Sequence, residues 1–274
     1  MWPTTFLWDA KNVLKVKKIA ILIEDIAGFR GLWEGLRITT KQGVIEQRPL
    51  RDIAKDLGLE VVYEARFPAG EKMFLGYLEP AYAKGAELIY VYSSWYTDCV
   101  TLTKQWANSR AKDSYLIFMG GPNMWTIFWD LTGGAALGVI TPVFDIEDYP
   151  PVSPYTQSFV KKMHEKGLRV DMSAHYYYSA IYHIKEAIEY VARQGKDPNK
   201  IDEVIKALET APCSVHTVLP KEWAVLGSKE RLRFHSYPAT PWFFFQFQGR
   251  DKVVLISSPD NPYLREQYTE DFLK

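Results

Sequence analysis

The sequence predicts an α/β protein built on a doubly wound parallel sheet, followed by a second region made mostly of helices. Three observations carry this prediction. Short continuous apolar runs such as KIAILIE (Lys18 to Glu24) suit strands buried on both faces. Stretches with helical apolar spacing separate these runs, so strand and helix alternate through the whole of Lys17 to Pro142. The alternation stops at DIEDYPPVSP (Asp145 to Pro154), where three prolines mark a crossover between domains.

Taken in order, KIAILIE is the first strand and runs into a glycine-spaced turn. GVIEQRPLRDIAKDLG reads as a helix from the spacing of Val44, Ile45, Leu50, Ile53, Ala54 and Leu57, with Gly58 as its stop and Pro49 marking a late start. Strands are expected over Leu59 to Phe67, Glu87 to Ser93, Tyr115 to Gly121 and Leu137 to Phe144, and a helix over Phe74 to Ala86. TDCVTLTKQWANSRA is a helix capped by Thr97 or Asp98. After the prolines come three helical segments. The first has Ser153 as N-cap and Pro154 at its first position, the second runs through MSAHYYYSAIYHIKEAIEYVARQG, and the third is DPNKIDEVIKALETA. WFFFQFQ and KVVLIS, joined by Gly249-Arg250-Asp251, read as a β-hairpin.

Composition narrows the function classes. Lys plus Arg equals Asp plus Glu at 33 each, so no charge excess points to nucleic acid or an anionic membrane. Aromatic residues reach 15%, either for core packing or for gripping a ligand by its ring faces. Cys99 and Cys213 match neither zinc nor redox spacing, and whether they pair stays open. No apolar run is long enough to span a bilayer, and the first residues lack the features of a signal peptide.

Catalytic signatures are absent from the sequence. Gly28, Gly31 and Gly35 form G-x-x-G-x-x-x-G rather than a dinucleotide fingerprint, and there is no phosphate-loop motif. The five histidines hold no metal-ligand spacing, and there is no nucleophile elbow. Acidic pairs such as Glu24-Asp25 and Glu147-Asp148 are too common in solvated turns to argue for glycosidase chemistry. No cofactor is expected. In a doubly wound sheet ligands bind beyond the carboxyl ends of the strands, so the turns after each strand are the places to inspect.

Four passages together resemble the type I periplasmic solute-binding proteins of ABC importers, in the Leu/Ile/Val- and amide-binding branch. KKIAILIEDIAGFRGL is similar to the strand that precedes that family's Asp-x-x-Tyr-Gly. PAYAKGAELIYVYSSWY, the helical stretch SPYTQSFVKKMHEKGLRVDMSAHYYYSAIYHIKEAIEYV and the closing RLRFHSYPATPWFFFQFQGRDKVVLISSP follow in family order. The resemblance implies two α/β lobes with solute between them. Residues 17–142 would form most of the second lobe, residues 143–233 the later part of the first, and residues 234–274 a hairpin and tail returning to the second. The first lobe is then incomplete, because its N-terminal half has no counterpart here, and the chain is expected to be the C-terminal portion of a longer extracytoplasmic protein.

The same resemblance implies a site. Asp25, Ala27 and Gly28 fall at the first loop, with Ala27 where the family has tyrosine and Phe29 able to substitute. Ser93, Ser94, Trp95 and Tyr96 fall at the second loop. Asn123 falls near the glutamate that amino-acid binders use for the ammonium group, and a neutral Asn weakens the case for a zwitterion. Tyr176 or Tyr178 would close the cleft. The expected partners are a small polar solute (an amino acid, amide or similar) and a membrane permease, with self-association through an uncovered apolar stripe at Ile181, Ile184, Ala187, Ile188 and Val191. The alternatives are an α/β enzyme with unidentified catalytic residues, or a ligand-sensing regulator of the same fold. The sequence contains no DNA-binding or kinase segment to support the regulator.

Overall fold

A computed structural model describes residues 2–41, 43–94, 97–120, 127–141, 154–170, 172–210, 243–250, 252–258 and 260–265. The elements are, in chain order, α1 (Trp2–Asn12), β1 (Lys18–Glu24), α2 (Arg30–Glu34), β2 (Leu36–Thr40), β3 (Gly43–Gln47), α3 (Leu50–Asp56), β4 (Glu60–Phe67), α4 (Leu75–Ala83) and β5 (Leu88–Tyr92). They continue with α5 (Cys99–Ala107), β6 (Tyr115–Met119), α6 (Phe128–Thr132), β7 (Val139–Thr141), α7 (Pro154–Glu165), α8 (Met172–Arg193), α9 (Ile201–Thr210), β8 (Phe245–Gly249), β9 (Lys252–Leu255) and α10 (Pro262–Arg265). The chain divides into two compact units. The first comprises Met1–Arg37, Glu46–Val143 and Trp242–Tyr263, and the second Ile38–Ile45, Phe144–Pro241 and Leu264–Lys274.

The first unit is built on a seven-stranded sheet of order β4-β1-β5-β6-β7-β8-β9. β4 through β7 are parallel neighbours, and β8 and β9 close the sheet as an antiparallel hairpin. Its central strands are apolar on both faces, as continuous rather than alternating runs require. In β1 every residue after Lys18 is buried. Phe6 of α1 lies against Tyr90 and Phe244, with ring centroids 5.6 and 4.9 Å apart, which places α1 on one face. Phe67 meets Phe74 at 5.8 Å, and Phe118 meets Phe128 at 6.3 Å, which places α4 and α6 on the other.

Two local departures from the sequence reading have physical causes. The helix expected over residues 43–58 is instead β3 followed by α3. Pro49, at φ −54° and ψ 141°, caps α3 in an extended conformation, and the residues ahead of a proline are driven away from the helical region. The N-terminal residues form α1, which the sequence reading did not assign. Phe6, Leu7 and Ala10 are completely buried, and so is the polar Asp9 beside them.

In the second unit α8 and α9 pack through Ala187, Val191, Val204 and Ala207. Phe159, Val160 and Val170 form a second cluster with Met163, Ala174 and Tyr178. Of the stripe read on α8, Ala187 and Val191 are thus covered, while Ile181, Ile184 and Ile188 stay 66%, 49% and 40% exposed.

Candidate functional site

The strand order fixes where a ligand can enter the first unit. The chain leaves β1 toward β4 on one side and leaves β5 toward β6 on the other. The crevice between the carboxyl ends of β1 and β5 is therefore the topological switch point, the usual ligand position in an open parallel sheet. The loops that leave it begin at Asp25 and at Ser93. An open groove of about 610 Å³ sits at the opposite end of the strands, lined by residues including Lys15, Glu87 and Tyr115. The Glu87 carboxylate there is already engaged by the Lys17 and Lys18 amides at 2.5 and 3.1 Å, so the switch point is the better candidate.

The first loop is a compact turn. The Asp25 amide donates to the Phe67 carbonyl at 2.8 Å, and the Phe29 amide to the Ile26 carbonyl at 3.0 Å. Ala27, Gly28 and Phe29 form a single 3₁₀ turn before α2. α2 has only five residues, too short for a phosphate-binding N-terminus. Gly28 has open space where a Cβ would stand, so its lack of a side chain leaves the rim clear rather than relieving a clash. Phe29 packs edge-on against Tyr92, centroids 4.8 Å apart at 78°. Asp25 is exposed and meets Arg66 at 3.4 Å. Arg66 also reaches Glu34 at 3.8 Å and, with Arg51, lies within 6 Å of the Trp33 ring, at 5.5 and 5.8 Å. Such half-exposed pairs orient side chains more than they stabilise the fold.

The second loop is tied down from below. The Ser93 amide donates to the Met119 carbonyl at 2.9 Å. Its buried hydroxyl lies 3.4 Å from the Gly120 carbonyl and 3.8 Å from Cys99 Sγ. The Ser94 amide donates to Glu24 Oε2 at 2.6 Å, and the Thr97 hydroxyl donates to the same oxygen at 2.8 Å. Asp98 caps α5 by accepting from the Thr101 amide at 2.9 Å. Trp95, Tyr96 and Asn123 lie outside the described residues, as does the side chain of Tyr176. Tyr178 packs in the second unit, its ring 4.4 Å from Phe159.

Asp25, Ala27, Gly28, Phe29, Ser93 and Ser94 therefore converge on the switch point. The sequence reading missed Glu24, Thr97 and Tyr92. Glu24 in particular is no solvated turn residue, because it is completely buried. The available signal was an acidic residue ending an otherwise apolar strand. Burial pushes the Tyr92 hydroxyl and the Cys99 thiol each up to about 12. In a Cys213→Ser variant, Cys99 is accordingly expected to resist a disulfide reagent at about pH 8 until the protein is unfolded. Labelling of native and urea-treated protein, followed by mass, checks this. Among the described residues no cluster of His, Cys, Asp and Glu could hold a metal ion, and no helix is long and apolar enough to cross a membrane.

A doubly wound sheet with rim loops at its switch point is an α/β architecture that many unrelated proteins share. A family model described as periplasmic binding protein matches residues 4–252, and the chain belongs to that family. Solved structures agree in fold. An extracellular ligand-binding receptor from Rhodopseudomonas palustris HaA2 is 16% identical, with TM-score 0.63 over 92% of this chain and 68% of its own. A leucine binding protein from Thermotoga maritima MSB8 is 14% identical, with TM-score 0.61 over 92% of this chain and 63% of its own. An R. palustris ABC-transporter solute binding protein in complex with benzoate is 16% identical, with TM-score 0.62 over 93% of this chain and 61% of its own. The chain thus spans between 61% and 68% of the length of these structures. No curated protein matches it.

Proposed function

We propose that the chain acts as the solute-binding component of an ABC importer, outside the cytoplasm. It holds a small polar solute at the switch point of the first unit, presents it to a membrane permease and performs no chemistry on it. The observation that carries this reading is the family match across residues 4–252. The convergence of six expected rim residues on the β1–β5 crevice supports it. An amino acid or amide is the favoured solute class, and a similar protein that binds leucine is consistent with that.

Calorimetric titration with the twenty common amino acids and benzoate tests the reading. Saturable binding is expected, and mass spectrometry should recover the solute unchanged after long incubation. Trp95→Ala and Tyr96→Ala should each weaken binding about tenfold or more while the protein stays folded, since an aromatic ring seated on a ligand contributes far more than a peripheral contact. Variants that unfold yet keep wild-type affinity where folded would place these rings in the core instead.

A further inference from the structure

We propose that the contact between α1 and the segment after β9 is a proton-operated clasp, closed while the buried Asp9 carboxyl holds a proton and loosened when that proton leaves, so that Ser257, Ser258 and Asn261 part from α1 without unfolding of the sheet. The inference does not depend on the solute-binding reading above. Asp9 lies on α1, and its partners lie on the segment that follows β9. The Ser258 amide donates to Asp9 Oδ1 at 3.1 Å, and Asn261 Nδ2 donates to the Thr5 carbonyl at 2.8 Å. Thr5, Asp9 and Asn261 have no exposed surface. Asp9 Oδ2 is buried and has no hydrogen-bond partner among the described residues. The chain leaves the first unit just after Tyr263, so the clasp sets how firmly its last part is anchored there.

A buried carboxyl that meets no cation favours its neutral form, because burial penalises the charged one. The charged groups on the elements packed against α1 are engaged elsewhere or turned to solvent. Arg51 of α3 pairs with Glu64 at 3.8 Å, and Asp56 of α3 with Arg48 at 2.6 Å. Lys11, on α1 itself, donates to the Leu57 carbonyl. Lys55 of α3 and Asp260 after β9 are exposed, and Asp52 of α3 and Tyr263 after β9 are half-buried. Tyr90 of β5 stays neutral, since burial pushes its hydroxyl well above the usual value. Burial likewise pushes the Asp9 carboxyl up to about 7, opposed by hydrogen bonds from Ser258, Asn261 and Ser257 and by no charge. In the open clasp the carboxyl meets water and returns to its ordinary range near 4, so between about 4 and 7 each pH unit favours opening tenfold. Meanwhile α1 stays seated on the sheet through Phe6, which lies against Tyr90 and Phe244. Opening therefore frees the segment rather than the helix, a local event well below global unfolding in free energy.

The test uses the intact chain and hydrogen exchange read by NMR, with each rate divided by its intrinsic value at that pH. Between about pH 5 and pH 7 the Ser258 amide, which donates directly to Asp9, should lose protection about tenfold per unit, and the loss should level off above about pH 7. The Tyr90 and Val91 amides, in the middle of the sheet on β5, should stay at least about tenfold better protected throughout, because they exchange only by larger unfolding. Asp9→Asn should hold the Ser258 protection flat across the range. The wild-type pH series needs no variant, so it decides the matter even where Asp9→Asn folds poorly. Flat wild-type protection at Ser258 overturns the inference. Equal protection at Ser258 and in β5 overturns it too, since Asp9 would then titrate only on global unfolding. A folded Asp9→Asn protein that keeps the wild-type slope does the same.

Discussion

Asp9→Asn is expected to make the protein more stable at about pH 8, by roughly 2–4 kcal/mol, and to flatten its stability between pH 4 and 7. Asp9 sits in α1 with no exposed surface. One of its oxygens accepts from the Ser258 amide at 3.1 Å, while Oδ2 is buried and has no hydrogen-bond partner among the described residues. Burial pushes its carboxyl up to about 7, and the Ser258 amide and the Asn261 and Ser257 side chains only partly oppose this. The folded state therefore holds a proton that the unfolded chain has released above about pH 4. Wild-type stability is unaffected by this group below that value. It falls as pH rises toward 7 and has lost the full contribution above it. Asn keeps the acceptor for Ser258 and removes the charge. Urea denaturation from about pH 4 to pH 8 measures both curves, and parallel curves would show that Asp9 titrates normally.

Gly120→Ala is expected to lower stability by about 3 kcal/mol or more, close to the largest values for single substitutions. Gly120 follows β6 with φ +97°, a region closed to side-chain-bearing residues. A Cβ there would stand 2.0 Å from the Ser93 carbonyl oxygen, which is backbone and cannot rotate away. Because Ser93 opens the second rim loop, the damage should reach the site as well. Denaturation midpoints give the stability. Loss of solute affinity in whatever protein remains folded gives the effect on the rim. A variant with wild-type stability would mean that the strand ends can separate freely at this point.

What the sequence disclosed about the fold follows from how local each signal is. β1, β5 and β6 were readable because a strand covered on both faces leaves an unbroken apolar run. α5 was readable because its cap and apolar spacing lie within one short stretch, and Asp98 caps it as expected. β3 was not, since Val44 and Ile45 fit either period and Pro49 alone separates strand from helix. α1 was hidden by Asp9, a charge in the middle of the buried face whose partners lie 249 residues away. The site shows the same division. The rim loops follow from strand ends and topology, but Glu24 is buried by Ser94 and Thr97, 70 and 73 residues further along, and no local pattern announces that.

The clasp between α1 and the segment after β9 has a consequence for synthesis on the ribosome. The Thr5 carbonyl accepts from Asn261 Nδ2 at 2.8 Å, across 256 residues. The first unit draws its opening helix from the start of the chain and its last two strands from beyond Trp242. While the chain emerges, the five parallel strands are complete once Thr141 is out, yet β7 then has an open edge until Phe245 arrives to pair with it. About a hundred further residues must be translated in that interval, which at ordinary elongation rates takes roughly 5–20 seconds. An unpaired parallel edge over that time is a template for wrong pairing. The nascent chain thus has a window in which a holding chaperone helps most, and it closes only when the final hairpin leaves the exit tunnel.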